Sequence, residues 1–170
     1  MSHSFETLNV GTLVLGLGHP WRGDDGVGPR LVAELAARPL PPGVALRDGG
    51  TGGLDLLHTL EGWERVIVVD AADMGQEPGT FVRFTPQEAR LIPKFTEGSV
   101  SIHNAGLSDV LTLAGALGCS LPEIVIFGVQ PAYVGWREGL SPAVEAILPR
   151  LIAAVLEEVK GENHAQNSGD

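Results

Sequence analysis

The chain has little of several features that would direct a protein to particular partners. Its one cysteine, Cys119, excludes an internal disulfide and any metal cluster built on several thiolates. Its 11 lysine and arginine residues form no basic block, and with 21 acidic residues the formal net charge is −10. Nucleic acids and anionic membranes bind to clustered positive charge, so the composition predicts no partner of either kind.

Long apolar segments are missing as well. No apolar run approaches the roughly 20 residues of a membrane-spanning helix, and residues 1–10 lack the basic and apolar segments of a secretory signal. The expectation is a soluble, cytoplasmic protein. Because no repeat or linker divides the 170 residues, residues 1–160 are predicted to form one domain and the polar residues 161–170 a disordered tail.

Short apolar runs alternate along the chain with longer segments of helical period. This order predicts an α/β domain, a single three-layer sandwich in which a twisted, mostly parallel five-stranded sheet carries helices on both faces. The strongest strand is 65–70, whose residues 66–69 are a continuous run of branched apolar residues typical of a strand that helices cover on both sides. Further strands are predicted at 12–18, 44–48, 80–85 (as an edge strand) and 123–129, and helices after Val27, after Leu54, over 107–117 and after Ser141.

Residues 16–29, GLGHPWRGDDGVGP, join the first predicted strand to the first predicted helix. A dinucleotide-binding turn needs glycine at the third position of G-x-G-x-x-G, and Trp21 occupies that position. A phosphate loop is disfavoured too, because no Lys-Ser or Lys-Thr follows and two aspartates would repel a phosphate. Adjacent Asp24 and Asp25 leave two interpretations open: one of them caps the helix, or one of them is directed to a cation.

Two more polar residues fall where the same end of the sheet is expected. Asp70 ends the most apolar strand, and His103 stands just before the third predicted helix. By itself, each has an equally simple structural interpretation, as a turn cap or a packed histidine. Ligand crevices of open α/β sheets lie at the carboxyl ends of the strands, so Asp70, His103 and one of the two loop aspartates are predicted to converge there. Two carboxylates and an imidazole suit a divalent metal ion, nickel and zinc alike.

The opening loop resembles that of the nickel–iron hydrogenase maturation proteases, which have the pattern Gly-x-Gly-Asn-x-x-x-x-Asp-Asp/Glu-x-x-Gly. His19 stands where asparagine is usual, and Trp21 and Arg22 fill variable positions. The likeness continues in the family's order through DGGTGGLDLL (48–57), VVDAAD (68–73), PGTF (78–81), HNAGLSDVL (103–111) and FGVQP (127–131).

The resemblance implies an endopeptidase, grouped with the aspartyl type, that removes a C-terminal extension from a hydrogenase large-subunit precursor after nickel insertion. It implies that Asp25, Asp70 and His103 are both the catalytic residues and the nickel ligands. The nickel is then presented by cysteines of the substrate. Residues 48–53 are expected to shape the wall of the crevice, and a role of their glycines as turn formers only is equally open. The expected partner is the precursor, with the enzyme acting as a monomer.

Two other functions remain open. A peptidyl-tRNA hydrolase has a related α/β architecture and a Gly-Leu-Gly-x-Pro opening, but it would have to hold tRNA with a net charge of −10. A non-catalytic, nickel-binding maturation chaperone would use the same three ligands. Incubation with a nickel-loaded precursor distinguishes the three functions, because only the protease shortens it.

Overall fold

The computed structural model describes residues 11–53, 55–89 and 102–161, and the side chains of all these residues except 102–106 and 108. Its strands are Thr12–Leu17 (β1), Val44–Gly50 (β2), Arg65–Ala71 (β3), Phe81–Phe84 (β4) and Glu123–Val129 (β5). Its helices are Val27–Ala36 (α1), Asp55–Leu60 (α2), Pro86–Ala89 (α3), Ile102–Leu117 (α4) and Pro142–Lys160 (α5), and the 3-10 turn Gly23–Gly26 precedes α1.

These strands form one sheet in the order β2-β1-β3-β5-β4. All neighbours are parallel except β4, which pairs antiparallel with β5 at one edge. The five-stranded, mostly parallel sheet predicted from the sequence is therefore confirmed, including the edge position of the alternating strand. In this register Gly16 lies opposite Val69 and Asp70 lies opposite Gly128, so β1, β3 and β5 end side by side.

Buried apolar side chains cover both faces of the sheet. One cluster joins α1 and α5 to the first face, through residues such as Leu31, Ile67 and Leu151. The other joins α2 and α4 to the second face, through residues such as Val68 and Val110. Every residue of β3 is buried, which explains why residues 66–69 are continuously apolar rather than alternating.

The start of α5 agrees with the position predicted from the sequence, whereas the start of α4 differs from it. Ser141 Oγ accepts a hydrogen bond from the backbone N of Val144 at 3.3 Å, so the predicted cap of α5 is confirmed. Helix α4 begins at Ile102, so the expectation that His103 precedes the helix is wrong: it lies in the first turn. The apolar stripe of this helix starts only at Leu107, so the sequence pattern gives no signal for its first turn.

No helix in the described ranges is long and apolar enough to cross a membrane. Helix α5 ends at Lys160, close to the predicted domain boundary. Residues 162–170, most of the predicted tail, lie outside the described residues, as do residues 1–10.

Glu158 of α5 joins two arginines at the amino end of the sheet. Its carboxylate contacts the guanidinium of Arg65, a buried residue that begins β3. It also accepts hydrogen bonds from Arg83 of β4 at 2.7 and 2.8 Å. These hydrogen bonds from Arg83, together with the positive charge of Arg65, hold the pKa of Glu158 below its ordinary value against the opposite effect of burial.

We expect Glu158→Gln to lower the free energy of unfolding by about 3 kcal/mol at pH 7, because the buried Arg65 loses its contacting carboxylate and keeps only that of Glu123, 3.6 Å away. A carboxylate with a lowered folded pKa stabilises the fold above its unfolded pKa, about 4.3, and the effect disappears as pH falls through the folded pKa. Urea unfolding should therefore show the two proteins converging as the pH is lowered below about 4.

The matched control for this prediction is Glu145→Gln on the same helix. Glu145 pairs with Arg30 at 2.8 Å, but both side chains are substantially exposed, at 48% and 39%. Exposed ion pairs contribute at most about 1 kcal/mol. If Glu158→Gln lowers the free energy of unfolding by as little as the control, or by the same amount at pH 3 as at pH 7, the stabilising role assigned to the Glu158 carboxylate is contradicted.

Candidate functional site

The loop after β1 returns to the sheet through the 3-10 turn, which contacts β3. Asp25 in this turn is fully buried, and its Oδ2 accepts a hydrogen bond from the backbone N of His19 at 3.0 Å. Gly18 permits this approach, because its φ is +126° and a Cβ there would stand 1.8 Å from the carbonyl oxygen of Asp25. The end of β1 thus fixes the position of Asp25.

Helix α1 approaches the sheet backbone to backbone because two positions lack a side chain. A Cβ at Gly28 would stand 2.3 Å from the carbonyl oxygen of Leu17 and 2.6 Å from that of Val69. A Cβ at Gly16 would stand 2.4 Å from the carbonyl oxygen of Gly28. Gly28 therefore provides the close helix–strand packing that the third glycine provides in a dinucleotide-binding turn, and Trp21 does not interfere with it.

Asp70 is the next-to-last residue of β3 and is 1% exposed. It lies at the carboxyl end of the sheet, opposite Gly128 of β5. Because the 3-10 turn contacts the same strand, the structure brings the elements that carry Asp25 and Asp70 together at this end, as the sequence predicts.

His103 is the second residue of α4. Helix α4 ends shortly before β5 begins, so it runs against the parallel strands and starts towards the carboxyl end of the sheet. The side chain of His103 lies outside the described residues. Among the side chains that are described, no group of three His, Cys, Asp or Glu could hold a metal ion, and the three-ligand site stays a prediction.

The carboxylate of Asp24 binds the loop 131–141 that follows β5. Its Oδ2 accepts hydrogen bonds from the backbone N of Ala132 at 2.8 Å and of Tyr133 at 3.2 Å, and its Oδ1 accepts one from Ser141 at 2.6 Å. Asp24 is 1% exposed, so these bonds are shielded from water. The aspartate therefore holds two loops together at the carboxyl end of the sheet.

Neither adjacent aspartate caps α1. The residue before the helix is Gly26, and no side chain accepts a hydrogen bond from the first turn. The capping interpretation of Asp24 and Asp25 is therefore wrong. The true partners of Asp24 lie 108 to 117 residues away in the sequence, a distance over which no local pattern gives a signal.

Backbone hydrogen bonds join the same two loops. Arg137 accepts from the backbone N of Gly23 at 2.7 Å and donates to the carbonyl oxygen of Trp21 at 3.1 Å. The backbone N of Asp24 donates to the carbonyl oxygen of Tyr133 at 3.0 Å. Residues 19–24 and 131–141 thus form one continuous rim beside Asp25.

Gln130 holds the loop that follows Asp70. This glutamine is 7% exposed, and its Oε1 accepts hydrogen bonds from the backbone N of Met74 at 2.7 Å and of Gln76 at 3.2 Å. Its Nε2 donates to Oδ1 of Asp73 at 3.2 Å. Gln130 belongs to FGVQP (127–131), for which the sequence indicated no role, and the structure makes it a positioning residue for this loop.

The glycine-rich segment 48–53 borders the same end of the sheet. Gly18 donates its backbone N to the carbonyl oxygen of Gly50 at 2.7 Å, next to Asp25. Asp48 Oδ1 accepts from the backbone N of Gly50 at 2.9 Å, which closes the turn. This placement agrees with the expectation that 48–53 shapes a wall of the crevice.

Comparison with known proteins supports one family. The sequence profile of HycI, described as hydrogenase maturation protease, matches residues 29–158. The hydrogenase expression/formation protein HupD of Rhodobacter capsulatus is 36% identical over 151 residues, 87% of this chain and 70% of the relative. The hydrogenase 2 maturation protease of Escherichia coli is 32% identical over 150 residues, 87% of this chain and 90% of the relative.

Solved structures agree with the sequence relatives. The hydrogenase maturating endopeptidase HybD from E. coli has a TM-score of 0.79 at 31% identity, over 89% of this chain and 93% of its own. The [NiFe] hydrogenase maturation protease HybD from Thermococcus kodakarensis has a TM-score of 0.71 at 27% identity, over 88% of this chain and 99% of its own. The predicted fold class is confirmed by this likeness.

Proposed function

Because this chain belongs to the hydrogenase maturation protease family, it is an endopeptidase that processes a hydrogenase large-subunit precursor, and we propose how its site does so. Asp25, Asp70 and His103 engage a nickel ion that the precursor carries, and this contact directs removal of a C-terminal extension. The nickel belongs to the substrate and is not a resident cofactor. Family membership does not favour the peptidyl-tRNA hydrolase or the chaperone.

One observation carries this proposal. The carboxylates of Asp25 and Asp70 are buried at the carboxyl end of the sheet, on two elements that contact each other. The first turn of α4, which carries His103, also lies towards this end. Carboxylate and imidazole are suitable ligands for a divalent ion, and the absence of a thiolate from the set predicts modest affinity for free nickel. The relative from T. kodakarensis is itself described as a [NiFe] hydrogenase protease, which supports a nickel-bearing precursor.

The residues of this chain contribute charge and position. Asp25 and Asp70 supply negative charge to the ion, and a neutral His103 supplies a nitrogen ligand. The backbone N of His19 orients the Asp25 carboxylate. When bound, the nickel supplies Lewis acidity, which polarises the scissile carbonyl or activates a water molecule. The grouping of the enzyme with the aspartyl-type endopeptidases is part of the same proposal and rests on the resemblance.

We expect processing to depend on nickel in the precursor. Purified enzyme should shorten nickel-loaded precursor, as measured by mass spectrometry, and should cut metal-free precursor at least tenfold more slowly, since even loss of a group that supports a metal ligand typically costs about 10–100-fold in activity. Free nickel added with the enzyme to a precursor whose metal-binding cysteines are blocked serves as the control and should not restore cleavage. Equal rates on both precursors would remove nickel from recognition and leave the peptidase assignment intact.

We also propose that the enzyme is a cytoplasmic monomer. Its macromolecular partner is the precursor, and it binds neither nucleic acid nor membrane. The net charge of −10 without a basic block supports the absence of nucleic acid. A lone cysteine agrees with a reducing compartment. Light scattering on the purified protein tests the monomer, and a dimeric mass would reject it.

A further inference from the structure

Three aromatic side chains are exposed on the rim beside Asp25. Trp21 is 55% exposed, Tyr133 47% and Trp136 79%. We call these three residues the aromatic platform. Exposed large apolar side chains at one place mark an interaction surface more often than single ones do. Elsewhere in the described part of the chain, such side chains are confined to Val134 on the same rim and to two leucines of α4.

The aromatic platform is held in place before any partner binds. Its two loops are joined by the Asp24 carboxylate and by the backbone hydrogen bonds of Arg137. The ring of Tyr133 lies over Gly135, where a Cβ would stand 2.5 Å from the tyrosine oxygen. The ring of His19 meets Trp136 edge-on with centroids 5.8 Å apart. A surface that is already ordered loses little conformational entropy on binding.

Arg22 adds a positive charge and a hydrogen-bond donor to the platform. Its guanidinium carbon lies 5.9 Å from the ring centroid of Trp136. Its Nε is buried, so a partner on the surface would meet the other nitrogens of the guanidinium. Arg137, on the same rim, is exposed. In a chain of net charge −10, this rim carries two cationic groups against one exposed carboxylate, Glu138, beside the apolar rings, which suits a peptide with apolar side chains and carbonyl or carboxylate oxygens.

We propose that the aromatic platform is the docking surface for the C-terminal extension of the precursor, with Arg22 donating to an oxygen of that extension. This inference rests on the proposed function, because the occupant is the segment that the enzyme removes. Asp24 anchors the platform and Asp25 belongs to the site, so a segment on the platform lies within a few residues of the scissile bond. Three rings suit one extended segment, whereas a globular face needs about 800 Å² per partner.

Binding to two forms of the substrate tests the occupant. The probes are the precursor with its extension and the same protein lacking it, with affinity measured by calorimetry. Wild-type enzyme should bind the intact precursor at least about tenfold more tightly than the trimmed protein, and Trp136→Ala should remove that difference, since a buried aromatic anchor typically carries at least this much of an interface. In processing assays Trp136→Ala should raise KM by a similar factor with kcat nearly unchanged.

The matched control is Leu117→Ala. Leu117 is 63% exposed, but it ends α4 just before β5 begins, at the other end of the sheet. This variant should bind both probes like the wild type. Because Trp136 is 79% exposed, its truncation should leave the thermal unfolding temperature unchanged, so a loss of binding is not a loss of folding.

Each alternative outcome has a definite meaning. If Trp136→Ala binds both probes as the wild type does, the platform is not a docking surface. If it weakens binding to the trimmed protein by the same factor, the occupant is the body of the subunit and the proposal is overturned. Failure of the proposed function looks different: a wild-type enzyme that prefers the intact precursor through the platform but cuts nickel-loaded and metal-free precursor at equal rates.

Discussion

Asp25→Asn is expected to lower cleavage of nickel-loaded precursor by about 100-fold or more, with the free energy of unfolding changed by no more than about 1 kcal/mol. The amide oxygen of asparagine can still accept the hydrogen bond that the backbone N of His19 donates at 3.0 Å. A neutral amide, however, is a poor replacement for a carboxylate on a divalent cation. Single-turnover cleavage and urea unfolding of the same preparation measure the two effects separately.

Asp24→Asn is the matched variant, and we expect it to lose more stability and less activity than Asp25→Asn. Both carboxylate oxygens of Asp24 accept backbone hydrogen bonds, so the NH₂ of an asparagine would face at least one N–H of the loop 131–141. Leaving such a buried donor unsatisfied costs about 1–3 kcal/mol. Cleavage should fall less than in Asp25→Asn. If Asp24→Asn were the stable but inactive variant, the assignments of the two aspartates would be exchanged.

His103→Ala extends the comparison to the third predicted ligand. Loss of a ligand should cost at least the roughly 10–100-fold that loss of a partner behind a ligand costs. The same cleavage assay applies, with Asn104→Ala as the neighbouring control. An active His103→Ala enzyme would leave a two-carboxylate site and exclude this histidine from the mechanism.

The sequence predicts most of the sheet and the positions of both buried carboxylates. The continuous apolar run of β3 is a direct consequence of its burial on both faces, and Asp70 follows from where that run ends. The pair Asp24 and Asp25 follows from a short loop between β1 and α1, and the choice of Asp25 as the ligand comes from the resemblance. In these cases the signal and its structural cause lie within a few residues of each other.

The roles of Asp24 and Gln130 are not predictable in the same way. Their hydrogen bonds connect loops that lie 54 to 117 residues apart, and any donor on the partner backbone would serve. The aromatic platform has the same origin, since Trp21 and Trp136 lie on one rim only because the two loops are joined. Such contacts depend on the order of strands in the sheet, and hydrophobic periodicity does not determine that order.

Gly28→Ala is expected to give a large loss of stability, about 3 kcal/mol or more, because the added methyl overpacks a contact made of backbone atoms. The new Cβ would stand 2.3 Å from the Leu17 carbonyl oxygen and 2.6 Å from both the Leu17 nitrogen and the Val69 carbonyl oxygen. No flexible side chain is there to yield. Helix α1 must move away from β1 and β3, and urea unfolding measures the result.

The matched control is Gly115→Ala, also in a helix. A Cβ at Gly115 meets nothing within 4 Å, so alanine should stabilise α4 by about 0.5–1 kcal/mol through its higher helix propensity.

The displacement of α1 in Gly28→Ala should also change the site, because the 3-10 turn with Asp25 leads directly into α1. Cleavage by Gly28→Ala should therefore fall even at temperatures where the variant is fully folded. A folded variant with wild-type cleavage would show that the site does not depend on the close approach of α1 to the sheet.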